Sequence, residues 1–394
     1  MAPLRVTLVG GGMIAHDQIL PSLYQLQRLG RIGPIAVCSQ HGRTVRALAD
    51  SAVLRRAFPS SRFEGWPGLD ADPDAAHHDL YRQAIATLPP RNLVVVALPD
   101  HLHFAAVLTA LEHDQHVIVV KPLVLKIAES ERIEAEARSR GLFVGVEYHK
   151  RLDDRSLLAR GKYRDGAFGE FRLGTACLME KWYYRHSNFQ TWCTTQHSDA
   201  FTYIGCHYVD LVHFITGLMP TSVSVYGIKD RYPNGQEGFL WTDARVLWNN
   251  GACLNVQNSL SFPDAAPGTN TQGLTLYCSG NSRGGLLRHS DQYRGLEYVS
   301  VDPPGYTEPS PDYFQYVSLG GSGLTPVGYG YRSIEFLVGC VERVERAADR
   351  HYEIDEINRE GIAATPANSR YNEAVIEAGR ESILNNGKLV SLPL

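Results

Sequence analysis

The sequence predicts an α/β domain followed by an α+β domain with a mainly antiparallel sheet. In the first third of the chain, apolar strand-like runs alternate with helical segments, a pattern typical of a parallel sheet with crossover helices. From Phe171 to about Ser300, short alternating runs are separated by Asn-Gly pairs, which favour tight hairpins. The length of 394 residues, with 44% apolar types, provides enough material for two domain cores.

The composition excludes several functional classes. The formal net charge is −4, and no run of Lys and Arg could neutralise a series of phosphates, so we expect no nucleic-acid partner. No stretch reaches the roughly 18 apolar residues of a membrane span, and the start of the chain predicts a strand rather than a signal peptide. The seven cysteines are scattered and form no C-x-x-C pair, which argues against a disulfide framework and a metal site. We therefore expect a reduced, cytoplasmic protein that acts on a small molecule.

A glycine-rich turn follows the first predicted strand, Leu4 to Val9. The spacing Gly10-x-Gly12-x-x-Ala15 matches the dinucleotide fingerprint, in which the first glycine permits a tight turn and the second lets the backbone approach a pyrophosphate. The exposed N–H groups at the start of the following helix favour the negative phosphates. A turn without a ligand is the alternative, but the strand before it and the helix after it favour a nucleotide site.

The end of the second predicted strand, Ile35 to Cys38, leaves the choice between NAD and NADP open. An NAD-specific domain usually has Asp or Glu here to bind the ribose 2′-hydroxyl, whereas this chain has Ser39 and Gln40. Arg43 follows closely and could hold a 2′-phosphate, or it could be a solvated helix residue.

Two further apolar strands are predicted, Leu93 to Leu98 and Val117 to Val120. Ligands of parallel α/β sheets bind at the carboxyl ends of the strands, and Lys121 lies at such an end, directly before Pro122. Lys121 could be an ordinary charged residue that leaves a strand. Its position after four buried apolar residues favours a place in a ligand cleft.

A series of motifs in this order resembles the Gfo/Idh/MocA family, named for glucose-fructose oxidoreductase and inositol dehydrogenase. The motifs are Gly10-x-Gly12-x-x-Ala15, Leu98-Pro99-Asp100-His101-Leu102-His103, Lys121-Pro122, Val144 to Arg151 and Tyr203 to Asp210. The resemblance covers essentially the whole chain. It implies a Rossmann NAD(P)-binding domain over residues 1–148, an α+β substrate and oligomerisation domain with an open sheet over 149–364, and a segment, 365–394, that returns to the first domain. It also implies a homodimer or homotetramer.

Family members typically use a Lys from a Glu-Lys-Pro motif, an Asp, and a His four residues after that Asp. Transferred to this chain, the Lys is Lys121 and the His is His207, whereas Val120 stands in place of the Glu and Tyr203 in place of the Asp. The reaction needs one group to take the hydroxyl proton and another to hold the developing alkoxide. His207 is the natural base and Lys121 can stabilise negative charge. Tyr203, one helical turn from His207, could hydrogen-bond the substrate or carry a proton.

Because Tyr203 stands in place of the Asp, the chain lacks the obvious carboxylate partner that would orient His207. Asp199 or Asp210 could replace it, although Asp199 could equally cap the helix. His207 could instead be a structural histidine, packed between the domains with its hydrogen bonds already satisfied. Its helical neighbours favour catalysis.

Further residues are predicted to line the site. Residues 180–186, together with Trp192, offer aromatic faces and donors that suit a polyhydroxylated ring, although aromatic strand residues are equally common in a plain core. The predicted cofactor contacts are Gly10, Gly12, Met13, Ile14, Ser39, Gln40, Arg43, Leu98, Pro99, His103 and Lys121. The predicted substrate contacts are Lys121, His149, Arg151, Lys181, Trp182, Asp199, Tyr203 and His207.

The leading functional hypothesis is an NAD(P)-dependent dehydrogenase or reductase for a secondary alcohol of a sugar, cyclitol or glycoside. A second hypothesis is a redox-assisted glycoside hydrolase, which would release sugar without net production of NAD(P)H. A third is a non-catalytic sensor that keeps the nucleotide site, which the replacements at Val120 and Tyr203 leave open.

Overall fold

The computed structural model describes residues 3–264, 271–280, 284–290 and 312–393. The predicted fold class is confirmed, since a parallel α/β unit is followed by a unit built on a mixed, largely antiparallel sheet. The last part of the region predicted to form short strands, residues 291–300, lies outside the described residues. Within the described ranges, no helix combines the length and the apolar character that a membrane crossing requires.

Strands and helices alternate in the first part of the chain. The strands are β1 (Leu4–Val9), β2 (Ile32–Cys38), β3 (Glu64–Trp66), β4 (Leu93–Val96), β5 (His116–Val120) and β6 (Val144–Glu147). The helices are α1 (Leu20–Arg28), α2 (Gly42–Asp50), α3 (Ala52–Ala57), α4 (Leu80–Ala86), α5 (His103–Glu112) and α6 (Ile127–Arg140). A π-helical turn, Ala15–Ile19, leads directly into α1.

Strands dominate the middle of the chain, and helices dominate its end. The middle part contains α7 (Asp154–Arg164), β7 (Glu170–Lys181), α8 (Tyr183–His186), α9 (Cys206–Thr216), β8 (Pro220–Arg231), β9 (Glu237–Trp248), β10 (Cys253–Phe262), β11 (Thr271–Ser279) and β12 (Gly284–Ser290). The last part contains β13 (Gln315–Val317), β14 (Thr325–Val327), α10 (Tyr329–Arg346), α11 (Arg350–Glu360), α12 (Pro366–Leu384) and β15 (Val390–Ser391).

The chain divides into two compact units whose boundaries differ from the predicted ones. The first unit comprises Met1–Val124, Ala128–His149 and Tyr313–Asn368, and the second comprises Leu125–Ile127, Lys150–Asp312 and Ser369–Leu394. Residues 313–364, predicted in the second domain, therefore belong to the first unit. Most of 365–394, predicted to return to the first domain, belongs to the second unit.

The first unit contains a six-stranded parallel sheet with the order β3-β2-β1-β4-β5-β6. Because β1 pairs with both β2 and β4, the glycine loop after β1 lies centrally on the edge formed by the carboxyl ends of the strands. We call this edge the carboxyl edge and the opposite one the amino edge. Leu337 and Val341 of α10 pack in the same buried cluster as Leu8 of β1 and Leu23 of α1. These contacts explain why residues after 313 complete the first unit.

The second unit contains a seven-stranded sheet with the order β12-β11-β7-β10-β9-β8-β15. Only the pair formed by β7 and β10 is parallel among these neighbours. The predicted Asn-Gly turns join β8 to β9 and β9 to β10, where Gly235 and Gly251 adopt positive φ angles of 85° and 81°. Helix α12 belongs to this unit because the hydroxyl of Tyr371 donates a hydrogen bond to the buried Asp210.

Candidate functional site

The glycine loop after β1 has the geometry that a dinucleotide requires. Gly10 has a φ of +117°, and a Cβ added there would lie 2.0 Å from the carbonyl oxygen of Ala97, so only glycine fits. A Cβ added at Gly12 would meet no atom within 4 Å, which leaves open space where a pyrophosphate can approach the backbone. Met13 and Ile14 follow as the first helical residues before the π-helical turn. The residues present therefore fit a bound dinucleotide.

The end of β2 lies beside a loop rich in acidic residues. Ser39 follows β2, and the exposed Arg43 near the start of α2 forms an ion pair of 2.5 Å with the exposed Asp74. The side-chain amide of Gln40 lies 3.0 Å from Nδ1 of His78. An acid is therefore present near the predicted ribose position, but it comes from the segment between β3 and α4 rather than from β2.

The ends of β4 and β5 are tied together by His103. Its Nδ1 lies 2.8 Å from the carbonyl oxygen of Pro122, and its Nε2 lies 2.8 Å from that of Leu98. Because the ring is fully buried and both nitrogens face backbone carbonyls, the geometry favours a structural role for His103 over the predicted cofactor contact. Pro99 and Lys121 lie on either side of this connection, after β4 and β5 respectively, and Lys121 is 8% exposed.

A carboxylate and an imidazole pair where β6 ends. Nδ1 of His149 lies 3.2 Å from Oε2 of Glu147, whose side chain is 2% exposed. The amide of Gln18 donates a 2.7 Å hydrogen bond to Oε1 of Glu147, and the hydroxyl of Ser333 donates to the same oxygen. One carboxylate oxygen therefore accepts from two distant segments of the first unit, and the other faces the imidazole of His149.

Two tyrosine rings hold the imidazole of His149. The ring centroid of Tyr313 lies 5.1 Å from that of His149, and the ring of Tyr329 is stacked at 5.6 Å. The hydroxyl of Tyr313 also donates to the carbonyl oxygen of the Gln18 side chain. His149 is thus fixed by the same network that surrounds Glu147.

In the second unit, His207 and Tyr203 lie on one continuous helical segment. His207 is the second residue of α9 and is buried, and Tyr203 lies on the π-helical turn Phe201–Gly205 that precedes α9. The Tyr203 ring packs edge-on against Tyr184, Phe189 and Trp192, at centroid distances of 6.1, 4.8 and 5.8 Å. Of the predicted aromatic group, Tyr184 and Trp192 therefore lie beside Tyr203, and Phe189, which was not predicted, joins them.

The two carboxylates predicted as partners of His207 have other partners. Asp210 accepts hydrogen bonds of 2.8 and 2.7 Å from Arg151 and one of 2.9 Å from Tyr371, all within the core of the second unit. Asp199 accepts from the backbone N–H and the hydroxyl of Thr202, as a helix cap does. The geometry therefore favours structural roles for Arg151 and Asp199 over the substrate contacts predicted for them.

Lys181 and Trp182 have partners at the end of the second sheet. The Lys181 ammonium lies 4.8 Å from the ring centroid of Phe262 and 3.4 Å from the carbonyl oxygen of Pro263. The indole N–H of Trp182 donates a 2.6 Å hydrogen bond to the carbonyl oxygen of Ser261. These contacts anchor the segment that leads from β7 into the aromatic group.

Several residues that shape this site were not predicted from the sequence. Gln18, Tyr313, Tyr329 and Ser333 surround the Glu147–His149 pair, but three of them lie in the region assigned by sequence to the second domain. A carboxylate two residues before a histidine at a strand end was the available signal. No group of three or more His, Cys, Asp or Glu residues suited to a metal ion occurs in the described part of the chain.

Two family models match the chain. The model described as an oxidoreductase family with an NAD-binding Rossmann fold matches residues 4–148, and the model described as a GFO/IDH/MocA C-terminal domain matches residues 157–282. The first match covers the sheet of the first unit, and the second runs from α7 to β11 of the second unit.

Curated relatives match over part of their length. The chain is 25% identical over 182 residues to D-glucoside 3-dehydrogenase of Escherichia coli (strain K12), which is 46% of this chain and 44% of the relative. It is 22% identical over 220 residues to levoglucosan dehydrogenase of Pseudarthrobacter phenanthrenivorans, which is 55% of this chain and 52% of the relative. The chain thus spans about half, or less, of the length of these relatives.

Solved structures share the fold over almost the whole chain. GenD2 from gentamicin A biosynthesis, in complex with NAD, has a TM-score of 0.69 at 18% identity and covers 100% of this chain and 97% of its own. Scyllo-inositol dehydrogenase from Lactobacillus casei with bound NAD(H) and scyllo-inositol has a TM-score of 0.62 at 14% identity and covers 99% of both chains. Together with the two family models, the glycine loop and the parallel sheet identify the chain as a member of the GFO/IDH/MocA oxidoreductase family, with an NAD-binding Rossmann fold in its first unit.

Proposed function

We propose that the protein is an NAD(P)-dependent dehydrogenase or reductase that interconverts a secondary alcohol and the corresponding ketone of a sugar, cyclitol or glycoside. The observation that carries the proposal is the carboxyl edge of the first unit. The glycine loop after β1 and Lys121 after β5 lie on this edge, two strands apart. Ligands of such sheets bind along this edge, so the glycine loop would hold the pyrophosphate of a dinucleotide and Lys121 belongs to the same ligand-binding edge.

The chain offers the groups that such a reaction needs. The nicotinamide supplies or accepts the hydride when the cofactor is bound. The ammonium of Lys121 hydrogen-bonds the reacting oxygen and stabilises its developing negative charge. An imidazole takes the hydroxyl proton, and the chain provides two candidates, His207 on α9 and His149 after β6. Tyr203 can donate or accept a hydrogen bond with a substrate hydroxyl.

The substrate class is supported by the relatives and by the aromatic group around Tyr203. The relatives include proteins named D-glucoside 3-dehydrogenase and levoglucosan dehydrogenase, and the solved structures include an inositol dehydrogenase. Sugar rings stack their apolar faces on aromatic side chains while their hydroxyls seek polar partners. Phe189 and Trp192 are buried beneath this group, so the partly exposed rings of Tyr184 and Tyr203 are the ones that suit a sugar ring.

NAD is the nucleotide we expect the protein to prefer. The carboxylate of Asp74 neutralises Arg43, the cation that would otherwise attract a ribose 2′-phosphate. Asp74→Asn should therefore lower the ratio of the NADP Kd to the NAD Kd by about fivefold, the effect of about 1 kcal/mol for an exposed pair. Fluorescence titration of both nucleotides measures this ratio. Asp70→Asn removes a charge from the same loop and should leave the ratio unchanged; an equal drop in both variants would contradict the role of Asp74.

The second sheet offers a surface for self-association, as the family resemblance implies. Leu173, Tyr277 and Leu286 are register neighbours on β7, β11 and β12, and each is about half exposed. A contiguous exposed apolar patch is typical of a protein interface. We expect a homodimer or homotetramer, and Tyr277→Asp should shift its mass toward the monomer in light scattering. An unchanged mass would exclude this face as the contact.

The first experiment follows absorbance at 340 nm with NAD or NADP against a panel of inositols, aldoses and glycosides. Growth of absorbance with one class supports the dehydrogenase and shows which nucleotide is used. Release of sugar without net NAD(P)H production would replace it with a redox-assisted hydrolase. Nucleotide binding without turnover of any substrate in either direction would contradict an enzymatic role and favour a sensor.

A further inference from the structure

A buried carboxylate beside a histidine is the arrangement in which an imidazole transfers protons efficiently. The carboxylate fixes the tautomer and orientation of the ring and stabilises the imidazolium that forms when the ring takes a proton. In the family to which the chain belongs, the sequence resemblance places an Asp near His207, and this chain has Tyr203 there. The location of a carboxylate–imidazole pair in this chain is therefore a mechanistic question.

Neither acid near His207 is arranged for this purpose. Asp210 is enclosed by Arg151 and Tyr371, and a carboxylate that forms a bidentate pair with a buried guanidinium is committed to that pair. Asp199 caps the turn at Thr202 and also lies 3.5 Å from Arg380. Both carboxylates serve the core of the second unit.

The second unit does contain one pair, in which Nε2 of His289 lies 3.3 Å from Oδ2 of Asp153, but both side chains are almost fully buried. The pair in the first unit leaves its imidazole partly exposed. Glu147 receives donors from Gln18 and Ser333 at one oxygen and faces Nδ1 of His149 at the other. An amide NH₂ group can only donate, so Oε1 of Glu147 is the acceptor of the hydrogen bond from Gln18. With its proton on Nδ1, directed at Glu147, the neutral ring of His149 has Nε2 as its acceptor atom.

The pair also lies at the part of the sheet where ligands bind. Val120 of β5 and Glu147 of β6 are direct register partners, so Lys121 and His149 follow adjacent strand ends on the carboxyl edge. The side chain of His149 is 13% exposed, while Glu147 beneath it is almost fully buried. The imidazole is thus the part of the pair that a ligand can reach.

We propose that His149 takes the proton of the substrate hydroxyl and that Glu147 is the positioning residue that orients and supports it. The inference rests on the proposed function. In the oxidative direction, a bound oxidised nicotinamide would supply the acceptor for the hydride of the C–H bond. Nε2 of His149 takes the proton of the O–H bond as the carbonyl forms. Glu147 holds the resulting imidazolium, and Tyr313 and Tyr329 keep the ring plane fixed. Reduction of the ketone reverses each transfer.

The kinetic test compares Glu147→Gln with a matched control. The amino edge of the same sheet carries a second pair, in which Nε2 of His116 lies 2.9 Å from Oε1 of Glu345. Glu147→Gln keeps the shape and removes the charge, so it should lower kcat about tenfold to a hundredfold with KM nearly unchanged. Glu345→Gln makes the same change away from the carboxyl edge and should leave kcat unchanged. Equal kcat values for wild type and Glu147→Gln would overturn the inference.

Chemical rescue separates proton transfer from a structural role. His149→Ala should lose about a hundredfold or more in kcat, and imidazole added to the buffer should restore part of the rate. A purely structural defect would not respond to imidazole. A His149→Ala variant that is folded, binds the nucleotide and keeps the wild-type kcat would also overturn the inference.

A spectroscopic readout tests the pair without turnover. In protein labelled with [¹⁵N]histidine, the neutral form of His149 should show the Nδ1–H tautomer, with its signal assigned among the 15 histidines by loss in His149→Asn. His116 accepts the Phe143 N–H at Nδ1 and should show the opposite tautomer. An Nε2–H tautomer at His149 would overturn the inference. Absence of dehydrogenase activity in the wild type would instead contradict the proposed function and leave this tautomer measurable.

Discussion

Two carboxylate–imidazole pairs lie at opposite edges of the same parallel sheet. Glu147 and His149 follow the end of β6 at the carboxyl edge, whereas His116 begins β5 at the amino edge and pairs with Glu345 of α10. The chemistry of the two pairs is alike. They differ in exposure, because the His116 side chain is fully buried and that of His149 is 13% exposed. Position on the sheet, rather than the identity of the side chains, distinguishes a candidate proton-transfer group from a structural one.

The surroundings of the amino-edge pair hold it in one protonation state. Burial lowers the pKa of His116, and the hydrogen bond to Glu345 only partly offsets this. Burial acts to raise the pKa of Glu345, but hydrogen bonds from His116 and Arg91 outweigh it and lower the pKa to about 2. The neutral imidazole donates to a carboxylate and accepts from the Phe143 N–H, so its protonation state does not change near neutral pH.

The largest expected effect is a loss of kcat/KM, and it should differ between variants at the two ends of β5. Lys121→Met keeps the apolar stem but removes the ammonium next to the carboxyl-edge pair, so kcat/KM should fall by about a thousandfold. His116→Gln, at the other end of the strand, should leave kcat/KM within a factor of two or so because it lies away from the ligand edge. Steady-state kinetics at saturating nucleotide measures both. A comparable loss in the two variants would mean that general disruption of β5, not the ammonium, causes the defect.

The second expected effect concerns stability. Glu345→Ala removes the acceptor shared by His116 and Arg91 and leaves both donors without it in a buried site. Such a loss should lower the free energy of unfolding by about 3 kcal/mol. Denaturant unfolding followed by circular dichroism measures the change. Glu353→Ala removes a carboxylate bonded to Arg343 in a more exposed setting and should cost about 1 kcal/mol or less. An equal loss of unfolding free energy in the two variants would show that burial does not increase the contribution of the Glu345 carboxylate to stability.

The comparison also shows what the sequence could predict. The glycine spacing, the apolar strands and the lysine after β5 are local patterns, and each predicted an element that the structure contains in that order. The asparagine–glycine turns predicted two hairpins for the same reason, since their positive φ angles depend only on neighbouring residues.

Non-local packing is what the sequence could not predict. Arg151 and His149 are two residues apart, and a charged residue after a strand suggests a ligand contact for either. The core of the second unit contains Arg151 because Asp210 and Tyr371 approach it from distant segments. Glu147 accepts a hydrogen bond from Ser333, which lies 186 residues away and was assigned by sequence to the other domain. The sequence of a helix such as α10 shows which face is apolar, but it does not show which unit that face will pack against.

The smallest expected effect uses pH to distinguish the pairs. Because the folded pKa of His116 lies below the unfolded value of about 6.5, the unfolded state binds more protons as pH falls below that value, and stability is lost. The contribution of His116 is fully present above pH 6.5 and falls by up to about 1.4 kcal/mol per pH unit below it. His213, with its pKa lowered to about 4 by burial, acts in the same direction, so the difference between wild type and His116→Gln isolates His116. Urea unfolding at pH 7.5 and 5.5 should show a smaller loss in His116→Gln than in wild type, whereas parallel losses would mean that His116 titrates alike in both states.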